Sequence, residues 1–573
     1  MRSMRSLIFL FALLPAMAVS VSSAVTVPPS IRVTMPPGLS PTPVSGRLLV
    51  MFAAADTASD HDVHLELVPT TEAIAFFGQD VVDWRSGQVL TLSPDASGFP
   101  YPSLADLPKG RYRLQASFER YEHYHRRDGH TLLLPVVEPL DSVSASQAAP
   151  RRWHSHAEDI LWDGNQVPRL LTLSIPVPSQ ASFADTPWVT SFRIRSQRLS
   201  EFWGRDMYLG AFVTLPAGYR DHPKTRYPVL IRLGGLPLAP SHWRERAPAV
   251  GLASDSIDAE PQQAGWDNFN YWQAPTTPRM VMVELQHPTP YADSSFAVNS
   301  LNNGPYADAI RHELLPALEQ AFRIKSSSWA RFLFGGGDGG WSALALQLRY
   351  PEDFNGAWAA CPDPVDFRHF GLIDLQSDHN AFFEEGLHLR LPRAAKRDAQ
   401  GRTLANMADV GHWERSLAER SRSKGLWDQW EAAFSPVGID GYPRRIWHRT
   451  SGVIDDEAAE HWYQHHDLHG LLSRRTAARL VALHGKLRIR IGDRDSYFFD
   501  NAVRAFETSL RQSAPELALS VDYGRGVAEC WSGRHDLPAA TARLRYLQDV
   551  LPWALERMLQ TAPAEADTTS WRY

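Results

Sequence analysis

The sequence predicts an α/β fold: a mostly parallel sheet flanked by helices, preceded by a β-rich N-terminal domain. Two observations carry this. From about residue 200, apolar strand-like runs alternate with helical ones: Met207 to Leu215, Pro228 to Leu233, Met280 to Leu285, Ala330 to Phe334, Gly356 to Ala360, Leu487 to Ile491 and Leu517 to Val521. Near-continuous apolar strands of this kind belong to a sheet covered on both faces. Upstream, residues 25–145 carry short alternating runs, Arg47 to Phe52, His61 to Leu67, Arg111 to Phe118 and Thr131 to Pro135, separated by Pro, Gly and Asp, which is the pattern of antiparallel strands.

In chain order, Arg2 and Arg5 precede an apolar stretch from Leu7 to Val19 and a small-residue site at Ser22-Ser23-Ala24. That is a secretory signal peptide over 1–24, so the product is expected to be exported, periplasmic or secreted. Its apolar core is short for a bilayer span, and no membrane association is expected after its removal. The β-rich domain over 25–145 reads as an immunoglobulin-like sandwich, with Asp128-Gly129 marking a hairpin. Residues 146–199 are Ser/Ala/Pro-rich and then polar, and read as a linker and connecting segment. The α/β domain follows over 200–560. Within it PYADAIRHELLPALEQAFRI sets Ile310, Leu314, Leu315 and Leu318 on one helical face. A mostly helical insertion, rich in Trp, His, Arg and Asp, covers about 366–480, and 561–573 reads as a C-terminal tail.

The net charge of −6 gives no electrostatic reason to expect nucleic acid as a partner. Cys361 and Cys530 are the only cysteines. Each follows a different core strand with a third strand between, which places them about 10 Å apart and too far for a bridge unless their loops bend together. His123, His125 and His130 have spacing that permits metal binding but read as solvated residues of an exposed hairpin; no metal or cofactor is expected.

Residues 330–341 read ARFLFGGGDGGW. An apolar run ends in glycines, and a helical pattern starts at once with Trp341, Leu344, Ala345 and Leu348. Strand, tight glycine turn and helix form the frame of a nucleophile elbow, normally G-x-S-x-G. Here Gly335-Gly336-Gly337-Asp338-Gly339 fills it with no hydroxyl at the centre. Leu233-Gly234-Gly235 follows a strand and resembles the loop that donates an oxyanion-hole N–H, the other coming from the residue after the nucleophile, Asp338; its glycines equally fit a plain turn. Shifted by one residue, Gly336-Gly337-Asp338-Gly339-Gly340 also fits G-x-D-x-G, with Asp338 as a carboxylate nucleophile. That chemistry still needs a base, and His535 is the candidate by sequence.

Together with LNNGPYADAIRHELLPALEQAFR (301–323), WDQWEAAFSPVGIDGYPRRIW (427–447), GDRDSYFFDNAV (492–503) and AECWSG (528–533), the elbow resembles the putative-esterase branch of the α/β-hydrolase superfamily, which includes esterase-D-like and enterochelin-esterase-like enzymes. The resemblance implies an α/β-hydrolase fold, with the insertion where hydrolases carry a lid. It also implies a serine carboxylic ester hydrolase with Ser at position 337 and His at position 529, where this chain has Gly337 and Glu529. Asp495 occupies the acid position. Without a hydroxyl or thiol at the elbow no acyl-enzyme forms, and Glu529 cannot shuttle a proton as an imidazole does. Three readings follow: an impaired relative that binds a small-molecule ester or carbohydrate-type ligand, an active ester hydrolase using a non-standard site, and a hydrolase with Asp338 as nucleophile. In the insertion, Trp427, Trp430 and Trp447 line a cleft or form the insert's core, and core is the simpler expectation.

Overall fold

The computed structural model describes residues 31–54, 74–93, 95–137, 140, 150–163, 169–177, 183–248, 259–386, 389–528 and 530–573. The expected signal peptide at 1–24, the expected strand at 61–67 and Glu529 lie outside the described residues. No helix among them is long and apolar enough to cross a membrane.

An eight-stranded sheet organises the second half of the chain. Its strands are β1 (Val189–Ser196), β2 (Met207–Thr214), β3 (Val229–Leu233), β4 (Val281–Gln286), β5 (Arg331–Gly336), β6 (Gly356–Ala360), β7 (Leu487–Gly492) and β8 (Ser520–Gly524). Their spatial order is β1-β2-β4-β3-β5-β6-β7-β8. β2 is antiparallel to β1 and β4, and every other pairing is parallel. The central strands are apolar throughout because helices cover both faces: every residue of β4 and β6 is buried. The predicted amphipathic helix forms over 306–321 with a π turn at Ile310–Leu314, and its four predicted face residues are all buried.

Upstream, one sheet runs through Val44–Ala54, Ala75–Trp84 and the long strand Gly110–His125, with a three-stranded sheet around Ile31–Thr34. The Asp128-Gly129 hairpin joins Gly110–His125 to Thr131–Pro135. Three expectations need correction. Residues 146–199 are not only a linker: Arg152–His154, Glu158–Trp162, Arg169–Thr172 and Ile175–Val177 are strands of the N-terminal sheets, and Val189–Ser196 is the edge strand of the large one. The segment 561–573 is not a loose tail, since Trp571 is fully buried and the Tyr573 and Tyr227 hydroxyls are hydrogen-bonded at 2.8 Å. The two cysteines do bridge: Cys361 and Cys530 form a disulfide with a Cα–Cα separation of 5.2 Å. They follow β6 and β8, on either side of β7, and their loops bend over the end of β7 to meet.

The insertion packs as a structural wedge. Trp427, Trp430, Trp447 and Trp462 are buried in the main core. Arg449 pairs with Glu431 at 2.9 Å and Asp428 at 3.1 Å, both fully buried. Buried arginines also tie it to the N-terminal sheets. Arg47 donates to the Ser416 carbonyl at 2.7 Å, Arg422 donates to the Leu133 carbonyl at 2.9 Å, and Arg422 pairs with Asp80. A buried guanidinium stripped of its partners is costly, so these contacts fix the insertion against both halves of the chain.

The disulfide closes a loop with a sequence separation of 169 residues. Removing it as the Cys361→Ala/Cys530→Ala double variant is expected to lower the unfolding free energy by about 2–5 kcal/mol, the range for a long loop. Urea denaturation followed by tryptophan fluorescence measures this, and an unchanged midpoint would contradict the bridge.

Candidate active site

Gly337 sits between the last residue of β5 and the helix Asp338–Arg349, with φ 58° and ψ −126°. Side-chain-bearing residues enter that region only with strain on the order of 1–3 kcal/mol, and glycine enters it freely. A Cβ built there would meet nothing within 4 Å, so space for a side chain exists and only the side chain is missing. The backbone is held on both sides: the Gly337 N–H donates to the Ala360 carbonyl at 3.1 Å, and the Trp341 N–H donates to the Gly337 carbonyl at 3.0 Å. The turn is tight because the helix start presses on the loop after β3. A Cβ on Gly339 would collide with the Leu233 carbonyl.

That contact places Asp338. Its carboxylate accepts a hydrogen bond from the Gly235 N–H at 3.0 Å. The loop amide predicted as an oxyanion donor is therefore occupied by a negative charge from the elbow itself. Gly234 lies against the same group, 3.4 Å from the Asp338 Oδ1 when a Cβ is built on it.

A cavity of about 540 Å³ opens in front of the elbow, lined among others by Gly235, Gly337, Asp338, Asp363, Trp430 and Asp495. Asp495, just beyond β7, is buried and accepts from the Tyr497 and Phe499 N–H groups at 2.9 and 3.1 Å. Burial nevertheless pushes its carboxyl up to about 6. Asp363, two residues past Cys361, was missed in the sequence. It is buried, accepts from the Trp430 indole N–H at 2.8 Å, and is pushed up to about 8 by burial and then by the Asp338 and Asp495 charges. Its signal was its place just beyond a core strand end, where α/β sheets form their sites. Trp430 is thus both core, as expected, and cleft wall.

His535 does not line this cavity. Its Nε2 faces Asp522 at 3.2 Å and its side chain is 61% exposed, because the chain turns outward after Trp531. The expectation that it serves Asp338 as a base is not met. The histidine that feels Asp338 is His287, directly after β4 and fully buried, where burial holds it down to about 4 against the opposing pull of Asp338. Its Nδ1 accepts from the Ser295 N–H at 3.1 Å and lies 3.0 Å from the Ser295 Oγ. Neither Ser295 nor His287 lines the cavity, and both are fully buried. Among the described residues lining the cavity there is no histidine, and of its two serines Ser496 donates to the Ala528 carbonyl at 2.6 Å while the Ser294 Oγ accepts from the Phe296 N–H at 3.1 Å.

One buried trio outside the cleft, Asp366, Asp467 and His469, has oxygen and nitrogen atoms close enough for a metal ion. It is already satisfied by protein. Arg368 holds Asp366 through two hydrogen bonds at 3.0 and 2.6 Å, the Phe367 and Gly470 N–H groups donate to Asp467, and His469 Nε2 meets the Ser509 Oγ at 2.7 Å. On the N-terminal hairpin, His123 and His125 are exposed, and His130 pairs with Asp128 at 3.1 Å.

Residues 200–450 match the family model described as putative esterase, so over that region the chain is esterase-like. The match includes the elbow and ends before Asp495 and Glu529. No curated protein matches the chain. Among solved structures, a ferulic acid esterase aligns at 15% identity over 64% of this chain and 98% of its own, with a TM-score of 0.34. A fluorophosphonate-binding serine hydrolase of Staphylococcus aureus aligns at 14% identity over 64% and 97%, with a TM-score of 0.34. An S-formylglutathione hydrolase from Agrobacterium tumefaciens aligns at 13% identity over 65% and 98%, with a TM-score of 0.31.

The raised Asp363 carboxyl has a definite consequence for stability. A folded-state value near 8 against an ordinary value near 4 means its contribution is complete below about pH 4 and is lost as pH rises through about 8. Asp363→Asn keeps an acceptor for the Trp430 N–H and does not ionise. Its melting temperature is expected to gain on wild type steadily between pH 5 and pH 8.5, measured by thermal denaturation. A constant difference across that range would contradict the assignment.

Proposed function

We propose that this chain is an exported, esterase-like protein that binds a small molecule at the elbow cleft and does not hydrolyse it. The observation that carries this reading is the hydrogen bond from the Gly235 N–H to the Asp338 carboxylate, beside a glycine where the nucleophile would stand. Acyl transfer needs a nucleophile, a base and free donors where the oxyanion develops. Here the elbow offers no side chain, Glu529 stands in the base register, and one donor already serves an anion. Asp338 is also a poor nucleophile in this setting, since its carboxylate is engaged by that N–H and His535 faces elsewhere. Export rests on the N-terminal sequence.

The cavity's chemistry favours a ligand without negative charge. Asp293, Asp338, Asp363 and Asp495 face it against one ammonium, Lys424, with Trp430, Tyr497 and Phe499 as aromatic walls. Carboxyl groups beside aromatic faces suit a hydroxyl-rich, carbohydrate-type molecule or an uncharged ester. The insertion, which contributes Trp430 and Gln429, acts as a fixed wall, because buried arginines anchor it. A second reading, hydrolysis from a non-standard serine, is favoured only by the Ser295–His287 contact and requires Ser295 to become exposed.

Purified protein is expected to hydrolyse short-chain nitrophenyl esters no faster than buffer. Gly337→Ser alone restores little, because the base and the free Gly235 N–H are still lacking. Gly337→Ser with Glu529→His is expected to exceed either single variant by at least about tenfold, since such groups act as a unit. Wild-type turnover abolished by Asp495→Ala, or equal activity of single and double variants, would refute this.

A further inference from the structure

A second cavity, of about 420 Å³, is lined by Phe334, Gly335 and Gly336 at the end of the elbow strand. The disulfide divides the two spaces: Cys530 lines both, and Cys361 lines the elbow cleft. A Cβ on Gly336, which also lines the second cavity, would stand 3.6 Å from the Cys530 sulfur. The size is within the range of small-molecule pockets, about 300–1,000 Å³.

The lining of this cavity differs in kind from the elbow cleft. Phe334, Trp358 and Tyr546 give it flat apolar walls, and no carboxylate lines it among the described residues. Two guanidinium groups do, Arg232 and Arg543. Glu284 neutralises Arg232 at 2.7 Å. Arg543 is exposed and makes no ion pair or side-chain hydrogen bond among the described residues. Three further lining residues are at least nine-tenths buried and carry a polar atom with no partner among the described residues: the Ser532 hydroxyl, the Tyr546 hydroxyl and the Trp358 indole N–H, at 2%, 9% and 5% exposure. All three are hydrogen-bond donors. Buried donors without partners are rare and call for an explanation. His242 lines the same space and is held down to about 4 by burial and then by Arg232 and Arg543, so it adds a neutral ring to a field that is positive.

The geometry points to a second binding site in this cavity, for a small molecule with a flat apolar body and a carboxylate group. The aromatic walls take the body. The carboxylate meets Arg543, which has no ion pair among the described residues, and accepts hydrogen bonds from the three donors that find no acceptor among those residues. The site is chemically opposite to the elbow cleft, which is rich in carboxylates, so the two spaces select different ligands.

Titration calorimetry with 2-naphthoate, and with 2-naphthylmethanol as the uncharged analogue, tests this on the intact protein. Wild type is expected to bind naphthoate at least tenfold more tightly than the alcohol. Arg543→Gln, a change at an exposed position, is expected to weaken naphthoate at least tenfold. Lys424→Gln, which removes the one cation of the elbow cleft, is expected to leave the affinity unchanged. Absence of binding to wild type, equal affinity for acid and alcohol, or equal affinity of wild type and Arg543→Gln would overturn the proposal. Loss of binding in Lys424→Gln with retention in Arg543→Gln would also overturn it and place the anion in the elbow cleft.

Discussion

The close approach of the β3 loop to the start of the elbow helix sets the character of the site. Glycine at 339 lets the helix backbone press against the Leu233 carbonyl, and this apposition brings the Asp338 carboxylate onto the Gly235 N–H. In a working acyl-transfer site that N–H would wait for an oxyanion formed during reaction. Here it already meets the Asp338 carboxylate. The hydrogen bond satisfies a half-buried backbone donor at the cavity wall, and it stabilises the loop in the absence of substrate. The same bond fixes a negative charge where the field reaches Asp363, His287 and Arg232.

That charge orders the rest of the cleft. Asp363 holds a proton near neutral pH, chiefly because it is buried and then because of that charge, and it accepts from the Trp430 indole N–H. Trp430 belongs to the insertion, and the insertion is held to the N-terminal sheets by Arg47 and Arg422. A line of contacts therefore runs from the elbow through one aspartate and one tryptophan to the β-rich half of the chain. The disulfide works in the same direction from the other side of β7, tying the strand ends that flank the acid loop. The cleft is rigidly built around an elbow whose tip is a glycine, Gly337.

The central strands were legible because burial on both faces demands continuous apolar runs, as in Phe332-Leu333-Phe334. The elbow was legible because a run of glycines at a strand end has few other uses. The edge strand Val189–Ser196 was not, since between its buried ends its residues are half-buried or exposed and it lacks that signature. The short strands between 152 and 177 were hidden in the same way. The bridge between Cys361 and Cys530 was set aside because strand spacing predicts where a strand ends and not how the next loop bends. His535 drew attention through its nearness in sequence to Cys530 and Glu529, whereas His287, remote in sequence from the elbow, is the histidine that Asp338 influences. Asp363 stood in plain sight beyond β6, but only the fold shows that Asp338, Asp495 and Trp430 surround it.

The central claim is that no serine of this chain is activated for attack. Incubating the purified protein with a fluorophosphonate probe and measuring intact mass, followed by peptide mapping, tests it most directly. The account predicts no adduct at any serine under conditions that label a serine esterase to completion. A stoichiometric adduct, at Ser294, Ser295 or any other position, would contradict it.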